Sequence, residues 1–386
     1  MTAKPPVIPM KRAAVVVGVV GLAVLVSGFV IEGGTSLALF ANDMLKAQAP
    51  RYSRSHTAHD TLLGWVNRPS FSSPNEYGAG IGITTNELGL RGPRSKPAND
   101  TSANRLVCSG DSVTLGYGVS DENSWCALLA QYFPTVETLN MGQAAYGLDQ
   151  AYLWYKRDSE KVKPQIQIFA MIAVQFERAV TTSHRGRFKP MLALQDNRLV
   201  ATNVPVPVQA TEALNKAYAL RSLDNLGLMR AIRRIPALDG TLQESSLVDE
   251  RWPVFEALFD DLCALNAERG VETVLAYLPF RNDMVAGPLD KRRARIADIA
   301  ARQKVRFVDL TPQLRAMRPD SVDLLFISRI PAGSAPGIGG HYTNLGNAWV
   351  ARLLAERLAD MPVLHGRLSR SIAAQPISRA ASSVAP

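Results

Sequence analysis

Two segments of the sequence carry side chains that could act together in nucleophilic catalysis. The first is Gly110-Asp111-Ser112-Val113-Thr114-Leu115-Gly116, in which a serine lies in a glycine-flanked turn after an apolar run. The second is Gly339-Gly340-His341-Tyr342-Thr343, in which a histidine follows two glycines. A serine hydroxyl becomes a good nucleophile when a neighbouring base takes its proton, and histidine is the most frequent base. Each segment alone also fits an ordinary turn, because Asp, Ser and Gly are common turn residues.

The elements around these segments predict a parallel α/β sheet. From about residue 105, short β-branched runs alternate with longer stretches of helical period, which is typical of a sheet covered by helices on both faces. The predicted strands are Arg105–Ser109, Val136–Met141, Gln165–Ile172, Val271–Leu278 and Val305–Leu310. The predicted helices are Ser124–Tyr132, Leu148–Lys161, Trp252–Arg269, Asp290–Gln303 and Leu345–Leu358, the last capped by Thr343 or Asn344. Ser112 then lies at the carboxyl edge of the first strand, where open sheets bind ligands.

Residues 181–247 interrupt this alternation between the third and fourth strands. They contain a predicted hairpin, Met191–Leu194 with Leu199–Asn203, and a basic helical stretch, Leu220–Arg234. Because ligands of such sheets lie beyond the carboxyl ends of the strands, we expect this insertion to wall a binding cleft.

The second strand ends in Asn140-Met141-Gly142. A glycine at this edge allows its backbone N–H to approach a developing oxyanion, since no side chain blocks the way. A plain strand-to-helix turn explains the same residues.

The order of these motifs resembles the SGNH/GDSL hydrolases. The segments GDS-x-T-x-G, N-x-G and G-H-Y-x-N-x-x-G are similar to blocks I, II and V of that family, and Asp60–Trp65 and Asn86–Gly92 resemble the leader of a bacterial, envelope-associated branch. The resemblance implies a three-layer α/β/α, flavodoxin-like fold with a five-stranded parallel sheet, and acyl-ester hydrolysis or transfer without metal or organic cofactor. It implies Ser112 as nucleophile, His341 as base, and the N–H groups of Ser112 and Gly142 as oxyanion donors.

The sequence departs from the family pattern at two places. Where the third block supplies an asparagine to the oxyanion hole, the chain has Val174, followed by Gln175 as the nearest amide. Where the family has an aspartate two or three residues before the histidine, the chain has Ile338 and Gly339, so a backbone carbonyl would have to orient the ring. Arg178 matches an arginine of the envelope branch and is a candidate for substrate binding or for a structural ion pair.

Two functions of different classes therefore remain open. One is an esterase or O-acyl transferase acting on an acylated small molecule or envelope glycan. The other is a catalytically degenerate homologue that binds such a ligand as a scaffold. Retention of the serine, glycine and histidine favours the first, and the missing Asn and Asp favour the second. The sequence predicts nothing about oligomeric state.

An uncharged apolar run, residues 13–31, has the length needed to cross a membrane as a helix. Basic residues precede it, Lys4, Lys11 and Arg12, and Glu32 follows it, which predicts a cytoplasmic N-terminus of residues 1–12 and a domain on the outer side of the cell membrane. A cleaved signal peptide is the alternative, although its apolar core is usually shorter.

The remaining predictions concern charge, cysteines and boundaries. The net charge of +9 permits an anionic partner, but the densest basic run, residues 291–295, is interpreted as a solvated helix face, and no nucleic-acid partner is expected. Three dispersed cysteines argue against a disulfide framework, and their spacing from histidines argues against a metal site. We expect residues 32–100 to form a connector and leader segment with His56 and His59 in solvent, 101–362 the hydrolase-like domain, and 363–386 a disordered tail. The five tryptophans are expected in the core.

Overall fold

The computed structural model describes residues 10–47, 56–92, 104–184, 187–207, 247–328 and 337–364. Helix α1, Met10–Ala47, belongs to one of two compact units, and the described residues from 56 onward belong to the other. Within α1, the segment Val15–Leu37 is long and apolar enough to cross a membrane, with a mean hydropathy of 2.5 and exposed side chains. A signal sequence near an N-terminus has the same properties. The segment contains most of the predicted span and extends it towards the C-terminus.

The second unit is built on a five-stranded parallel sheet, as predicted. Its strands are β5 (Asn104–Gly110), β6 (Val136–Gly142), β7 (Ile166–Met171), β12 (Glu272–Tyr277) and β13 (Arg306–Asp309). They lie in the order β13-β12-β7-β5-β6, and each neighbouring pair is parallel. This is the flavodoxin-like order, whose switch point lies between β5 and β7. Ser112 directly follows β5 at that point.

Helices cover both faces of the sheet and give it three layers. They are α2 (Ser112–Leu115), α3 (Trp125–Tyr132), α4 (Leu148–Asp158), α5 (Ala173–Ala179), α6 (Trp252–Glu268), α7 (Pro288–Gln303), α8 (Thr311–Arg315), α9 (Pro319–Asp323) and α10 (Asn344–Leu358). The side chains of β5 alternate between the two faces, so Val107 joins a core with α4, α6 and α7, while Leu106 joins a core with α3 and α10. Thr343 caps α10 by accepting from Gly346 N–H, which confirms one of the two predicted caps. All five tryptophans are buried, as expected.

Residues 56–92 lie within the predicted connector and leader segment, residues 32–100. They form two antiparallel hairpins, β1 (Thr57–Asp60) with β2 (Gly64–Asn67) and β3 (Ser72–Gly78) with β4 (Ile81–Thr84), named here the leader hairpins. The strands are short and irregular, so they show little of the alternation that marks a strand in a sequence. The residues 93–103 lie outside the described residues, as do 365–386 of the predicted tail.

Two leader histidines have different surroundings, which corrects one of the two predictions. His59 is exposed as expected, whereas His56 is fully buried, with its Nδ1 2.7 Å from Glu76 Oε1. The partner comes from the other leader hairpin, twenty residues away, so the contact depends on how the hairpins pack.

The insertion contains the predicted hairpin. Strands β10 (Met191–Gln195) and β11 (Arg198–Thr202) pair through a two-residue turn at Asp196 and Asn197, both with positive φ. This is the backbone that Asp and Asn tolerate in tight hairpins. A second small pair, β8 (Ser183–His184) with β9 (Arg187–Phe188), precedes it. The predicted basic helix at 220–234 lies outside the described residues.

The basic run of α7 is only partly a solvated face. Lys291 and Arg295 are exposed, but Arg292 and Arg293 are buried. Arg293 pairs with Asp283 at 3.0 Å and with Asp309 at 3.1 Å, so its charge is neutralised within the fold. The prediction was wrong at these two positions because carboxylates distant in sequence make burial of the guanidinium groups tolerable.

Two of the three cysteines form a disulfide, which corrects the prediction from their number. Cys108 of β5 and Cys126 of α3 are paired and fully buried, with Cα atoms 6.1 Å apart. The spacing of the three cysteines in the sequence does not indicate a disulfide. The packing of α3 onto β5 brings Cys108 and Cys126 together. Cys263 is free, and burial raises the pKa of its thiol to about 11. Such a thiol stays protonated and unreactive at neutral pH.

The disulfide and the buried free cysteine predict how many thiols of the chain react with a labelling reagent. The native full chain should react with no iodoacetamide at pH 7.5, the chain unfolded in urea should take up one label, and the reduced unfolded chain should take up three. Intact-mass spectrometry measures each count. One label on the native chain would contradict the burial of Cys263, and three labels without reductant would contradict the disulfide.

Candidate active site

The turn after β5 presents Ser112 at the carboxyl edge of the sheet. Asp111 caps the short helix α2 by accepting from Val113 N–H at 3.0 Å, so the helix begins at the serine. As the first helical residue, Ser112 has an N–H without an intrahelical acceptor. The N–H groups of Gly116 and Tyr117 return to the Ser112 carbonyl at 3.1 and 2.9 Å. The turn is therefore closed on the serine itself.

His341 lies on a loop that the fold returns to the end of β5. Its backbone carbonyl accepts from Ile327 N–H at 2.8 Å, and Gly340 N–H donates to Ile327 O at 2.8 Å. The imidazole Nε2 lies 2.9 Å from Ser112 Oγ, across 229 residues of sequence. The structure thus brings together the two residues on which the sequence prediction depends.

The other imidazole nitrogen fixes the tautomer. His341 Nδ1 lies 3.1 Å from the backbone carbonyl of Ile338. A carbonyl can only accept, so in the neutral ring Nδ1 carries the hydrogen and Nε2 is left as an acceptor. This is the protonation state that a base for Ser112 requires. Ile338 occupies one of the positions where the resemblance implies an aspartate, and its main chain makes the orienting contact.

Gly142 is placed beside the nucleophile turn, but its amide is already bonded. Its N–H donates to Asn140 Oδ1 at 3.0 Å, and Asn140 Nδ2 donates to Thr114 O at 2.8 Å. A Cβ on Gly142 would overlap the backbone of Leu115. The described contacts therefore explain this glycine by the close approach of β6 to α2, which is a requirement of packing.

Gln175 makes one described side-chain hydrogen bond, to the start of α5, and no described contact joins it to Ser112 or His341. Its side chain is fully buried, and its Oε1 accepts from Ile172 N–H at 2.8 Å, which caps the start of α5. Its Nε2 is buried and has no hydrogen-bond partner among the described residues. The preceding residue, Val174, lines the cleft instead. An apolar side chain therefore faces the cleft where the family resemblance implies an amide.

Arg178 forms an ion pair next to the serine. Its Nη1 lies 2.8 Å from Asp111 Oδ2 and donates to the carbonyl of Tyr146 at 3.0 Å. Both contacts hold neighbouring turns, the first after β5 and the second after β6. In that second turn Ala145 has a φ of +67°. This backbone conformation is unfavourable for any residue that has a Cβ, and it is enriched at functional sites.

A cleft of about 670 Å³ opens at the carboxyl ends of β7 and β12, next to the histidine loop. Its lining includes Val174, Phe280, Ile327 and Gly340. Phe280 stacks on Phe326, which also lines the cleft, and on Tyr342, with ring centroids 6.0 and 6.2 Å apart. Aromatic and aliphatic side chains thus form part of the cleft wall, and the lining reaches Gly340, the residue before His341, but includes neither Ser112 nor His341.

The cleft also has a charged rim. Arg281 pairs with Asp323 at 2.6 Å, and Glu177 with Arg292 at 3.4 Å. Asp283 lies deeper, where burial raises the pKa of its carboxyl, although Tyr277, Arg293 and the Phe280 N–H act in the opposite direction. Each of these carboxylates already has a cationic partner.

Two residues next to the site escaped the sequence prediction. Arg91 reaches the nucleophile turn from the predicted connector and leader segment, and the Tyr117 ring contacts the His341 ring in a tilted arrangement with centroids 5.1 Å apart. Arg91 was noted only as part of a leader motif, and Tyr117 only as a residue of the glycine-rich turn. The Arg91 contacts depend on how the leader segment packs against the nucleophile turn, and the Tyr117 contact on how the histidine loop does.

Among the described residues, no group of three or more His, Cys, Asp and Glu side chains is arranged to hold a metal ion.

Neither a protein-family model nor a curated protein sequence matches the chain. Several solved structures match the chain in fold. One is a member of the lipolytic protein G-D-S-L family from Veillonella parvula, which is 13% identical to this chain. The match covers 68% of this chain and 99% of that chain, with a TM-score of 0.35. Another is the lipase/acylhydrolase from Enterococcus faecalis, with 12% identity, 69% and 97% covered, and a TM-score of 0.34. The chain resembles the SGNH/GDSL hydrolases in the order and residues of its three motifs.

Proposed function

We propose that the protein is a serine-dependent ester hydrolase that acts on the outer side of the cytoplasmic membrane. The observation that carries this proposal is the 2.9 Å contact between Ser112 Oγ and His341 Nε2, with Nδ1 held by a carbonyl acceptor. A merely structural serine and histidine need neither this contact nor this tautomer.

In the proposed reaction, Ser112 Oγ attacks the ester carbonyl carbon as its proton passes to His341 Nε2. The tetrahedral intermediate collapses when the carbon–oxygen bond to the alcohol breaks and His341 returns the proton to that oxygen. Water then attacks the acyl-enzyme by the same two proton transfers, which releases the carboxylic acid and restores the serine.

The oxyanion would be held by the N–H of Ser112, while the Gly142 N–H shares its hydrogen with Asn140 Oδ1. One preorganised donor is typically worth about 10²–10³ in turnover. We therefore expect a slow esterase unless substrate binding turns a second donor, such as the Gln175 amide, into the cleft.

The location is supported by two independent features. Basic residues precede the apolar segment of α1, which favours a cytoplasmic N-terminus. The Cys108–Cys126 disulfide is of a kind that persists in oxidising compartments and is rare in the cytosol. Transfer of the acyl group to a glycan hydroxyl would use the same acyl-enzyme, but no described contact favours a sugar hydroxyl over water, so hydrolysis is the proposed reaction.

The test is covalent labelling of the full chain in detergent micelles with a fluorophosphonate probe. We expect one adduct per chain, located at Ser112 by peptide mass spectrometry, because the probe reacts with a serine whose proton a base can take. Ser109→Ala is the matched control: Ser109 lies three residues earlier, is fully buried, and accepts from Gln167 Nε2, so its loss should leave labelling unchanged. A folded chain that takes no label, or a label outside Ser112, would favour the scaffold function over the enzyme.

A further inference from the structure

The nucleophile turn is held from outside the catalytic sheet by one arginine of the leader segment. Arg91 follows the leader hairpins, and its side chain is 1% exposed. Its Nε lies 2.7 Å from Asp121 Oδ1, and Asp121 in turn accepts from the backbone N–H of Thr84 in β4 at 2.9 Å. The ion pair therefore joins a leader hairpin to the loop that follows the nucleophile turn.

The remaining guanidinium hydrogens are directed at backbone carbonyls, three of them in the segment 115–119 after Ser112 and one in β4. Nη1 donates to the carbonyls of Leu115 and Gly116, both at 2.6 Å, and Nη2 donates to Val119 O at 2.6 Å and to Gly82 O at 3.3 Å. With Nε on Asp121, all five N–H donors of the side chain have an acceptor. Lysine has a single charged nitrogen and cannot satisfy four carbonyls in this planar arrangement.

One of the carbonyls that Arg91 holds, that of Gly116, belongs to a residue that closes the turn on the serine. Gly116 N–H and Tyr117 N–H both donate to the Ser112 carbonyl. Arg91 also donates its own backbone N–H to Asn140 O at 2.9 Å, and the Asn140 side chain donates to Thr114 O. The turn that carries Ser112 is thus held on one side by the guanidinium group and on the other by β6.

A second contact extends from this loop to the base. The Tyr117 ring contacts both Tyr77 of β3 and His341 in tilted arrangements, with ring centroids 4.7 and 5.1 Å away. The Arg91 guanidinium lies 5.6 Å from the Tyr77 ring centroid. Burial raises the pKa of Tyr77, so its hydroxyl stays protonated beside the guanidinium group at physiological pH. Movement of the Arg91 loop would therefore displace the ring that packs on the imidazole.

The sequence around the turn is adapted to this arginine. Gly116 has a φ of +82°, and a Cβ there would lie 2.9 Å from Arg91 Nη1. A side chain at this position would meet both a strained backbone and the guanidinium group.

We infer that Arg91 is a positioning residue for the Ser112–His341 pair, through which the leader hairpins form part of the active site. This inference rests on the proposed function for its kinetic readout. A displacement of reacting groups by about 1 Å can cost on the order of 10² in rate. We expect Arg91→Lys to lower the rate constant of Ser112 phosphonylation by about that factor in the folded chain, with little change in the concentration of probe that half-saturates the reaction.

Arg105→Lys is the matched control. Arg105 is also buried, pairs through Nε with Glu137 at 2.8 Å and donates to Val162 O, but it lies at the start of β5, at the opposite end of the strand from Ser112. Its replacement should lower thermal stability while the labelling rate of the folded fraction stays within twofold of the original chain. If Arg91→Lys fails to fold, Asp121→Asn tests the same contact from the partner side, and we expect a fall of about tenfold.

Hydrogen exchange separates this inference from the proposed function. In Arg91→Lys, peptides that cover residues 111–119 should exchange at least tenfold faster, and in Arg105→Lys they should not. Faster exchange with slower labelling supports a positioning role. Unchanged exchange and labelling would overturn it, as would losses that only follow the unfolded fraction. An original chain that takes no label contradicts the proposed function, and the exchange comparison still decides the role of Arg91.

Discussion

Replacing Ser112 with alanine is expected to lower kcat for an activated acetyl ester by about 10⁴-fold or more, with His341→Gln causing a similar loss. Without Oγ there is no nucleophile to form the acyl-enzyme. Without the imidazole, the serine has no acceptor at 2.9 Å for its proton. Because the two residues act as one unit, the double variant should be no slower than either single variant, so their effects should be strongly non-additive.

The measurement is initial-rate hydrolysis over a range of ester concentrations, with the full chain in detergent micelles. His59→Gln serves as the control for the histidine replacement, because His59 is exposed on β1 and should leave kcat unchanged. Thermal unfolding of each variant shows whether a lost rate reflects lost structure. Additive losses in the double variant would mean that the serine and histidine act independently, which contradicts the proposed mechanism.

A second large effect is expected at a buried ion pair behind the active site. Replacing Lys189 with methionine should lower the free energy of unfolding by about 3–5 kcal/mol, because the Asp149 carboxylate would be left buried without its cation. Lys189 is fully buried, contacts Asp149 Oδ2, and donates to Thr181 O at 3.0 Å and to Pro190 O at 2.7 Å. Burial raises the pKa of Asp149 and lowers that of Lys189, and the opposite charge of the partner counteracts both shifts.

Urea unfolding followed by tryptophan fluorescence measures this loss, since all five tryptophans are buried. Lys156→Met is the matched control: Lys156 pairs with Asp261 at 2.9 Å, but both side chains are more than one-third exposed, and such pairs contribute about 0–1 kcal/mol. The double variant Asp149→Asn with Lys189→Met should recover part of the lost stability, because no unpaired charge remains. A Lys189→Met chain within 1 kcal/mol of the original would be incompatible with a buried, fully paired lysine.

The ion pair also bears on the site. Asp149 lies in the first turn of α4, whereas Lys189 lies in the insertion that follows α5. The contact therefore fixes the start of the insertion against the helix that follows the β6 turn. We expect the Lys189 variant to lose activity only in proportion to its loss of folded protein, since neither residue contacts Ser112 or His341 among the described contacts.

The sequence by itself determined the sheet, its five strands and the two segments that meet at its edge. Each strand is a local apolar run, and each helix a local periodic pattern, so neighbouring residues contain the necessary information. Ser112 and His341 could be identified because each lies in a short motif that ends or begins such an element. Their order along the chain, with Gly142 between them, was enough to indicate acyl-ester chemistry by resemblance.

Only the tertiary structure decided which groups surround these two residues. The orienting contact of His341 is a main-chain carbonyl of Ile338, and every residue has such a carbonyl, so no side-chain type marks it in the sequence. The Gln175 side chain is buried and caps the start of α5, whereas Val174 lines the cleft. The geometry of α5 determines these two orientations. The disulfide and the five contacts of Arg91 join residues separated by 9 to 30 positions, which become neighbours only when helix, hairpin and sheet pack together. Local patterns thus determined the elements, whereas the electrostatic and steric environment of the site depends on contacts between elements, which a local pattern does not encode.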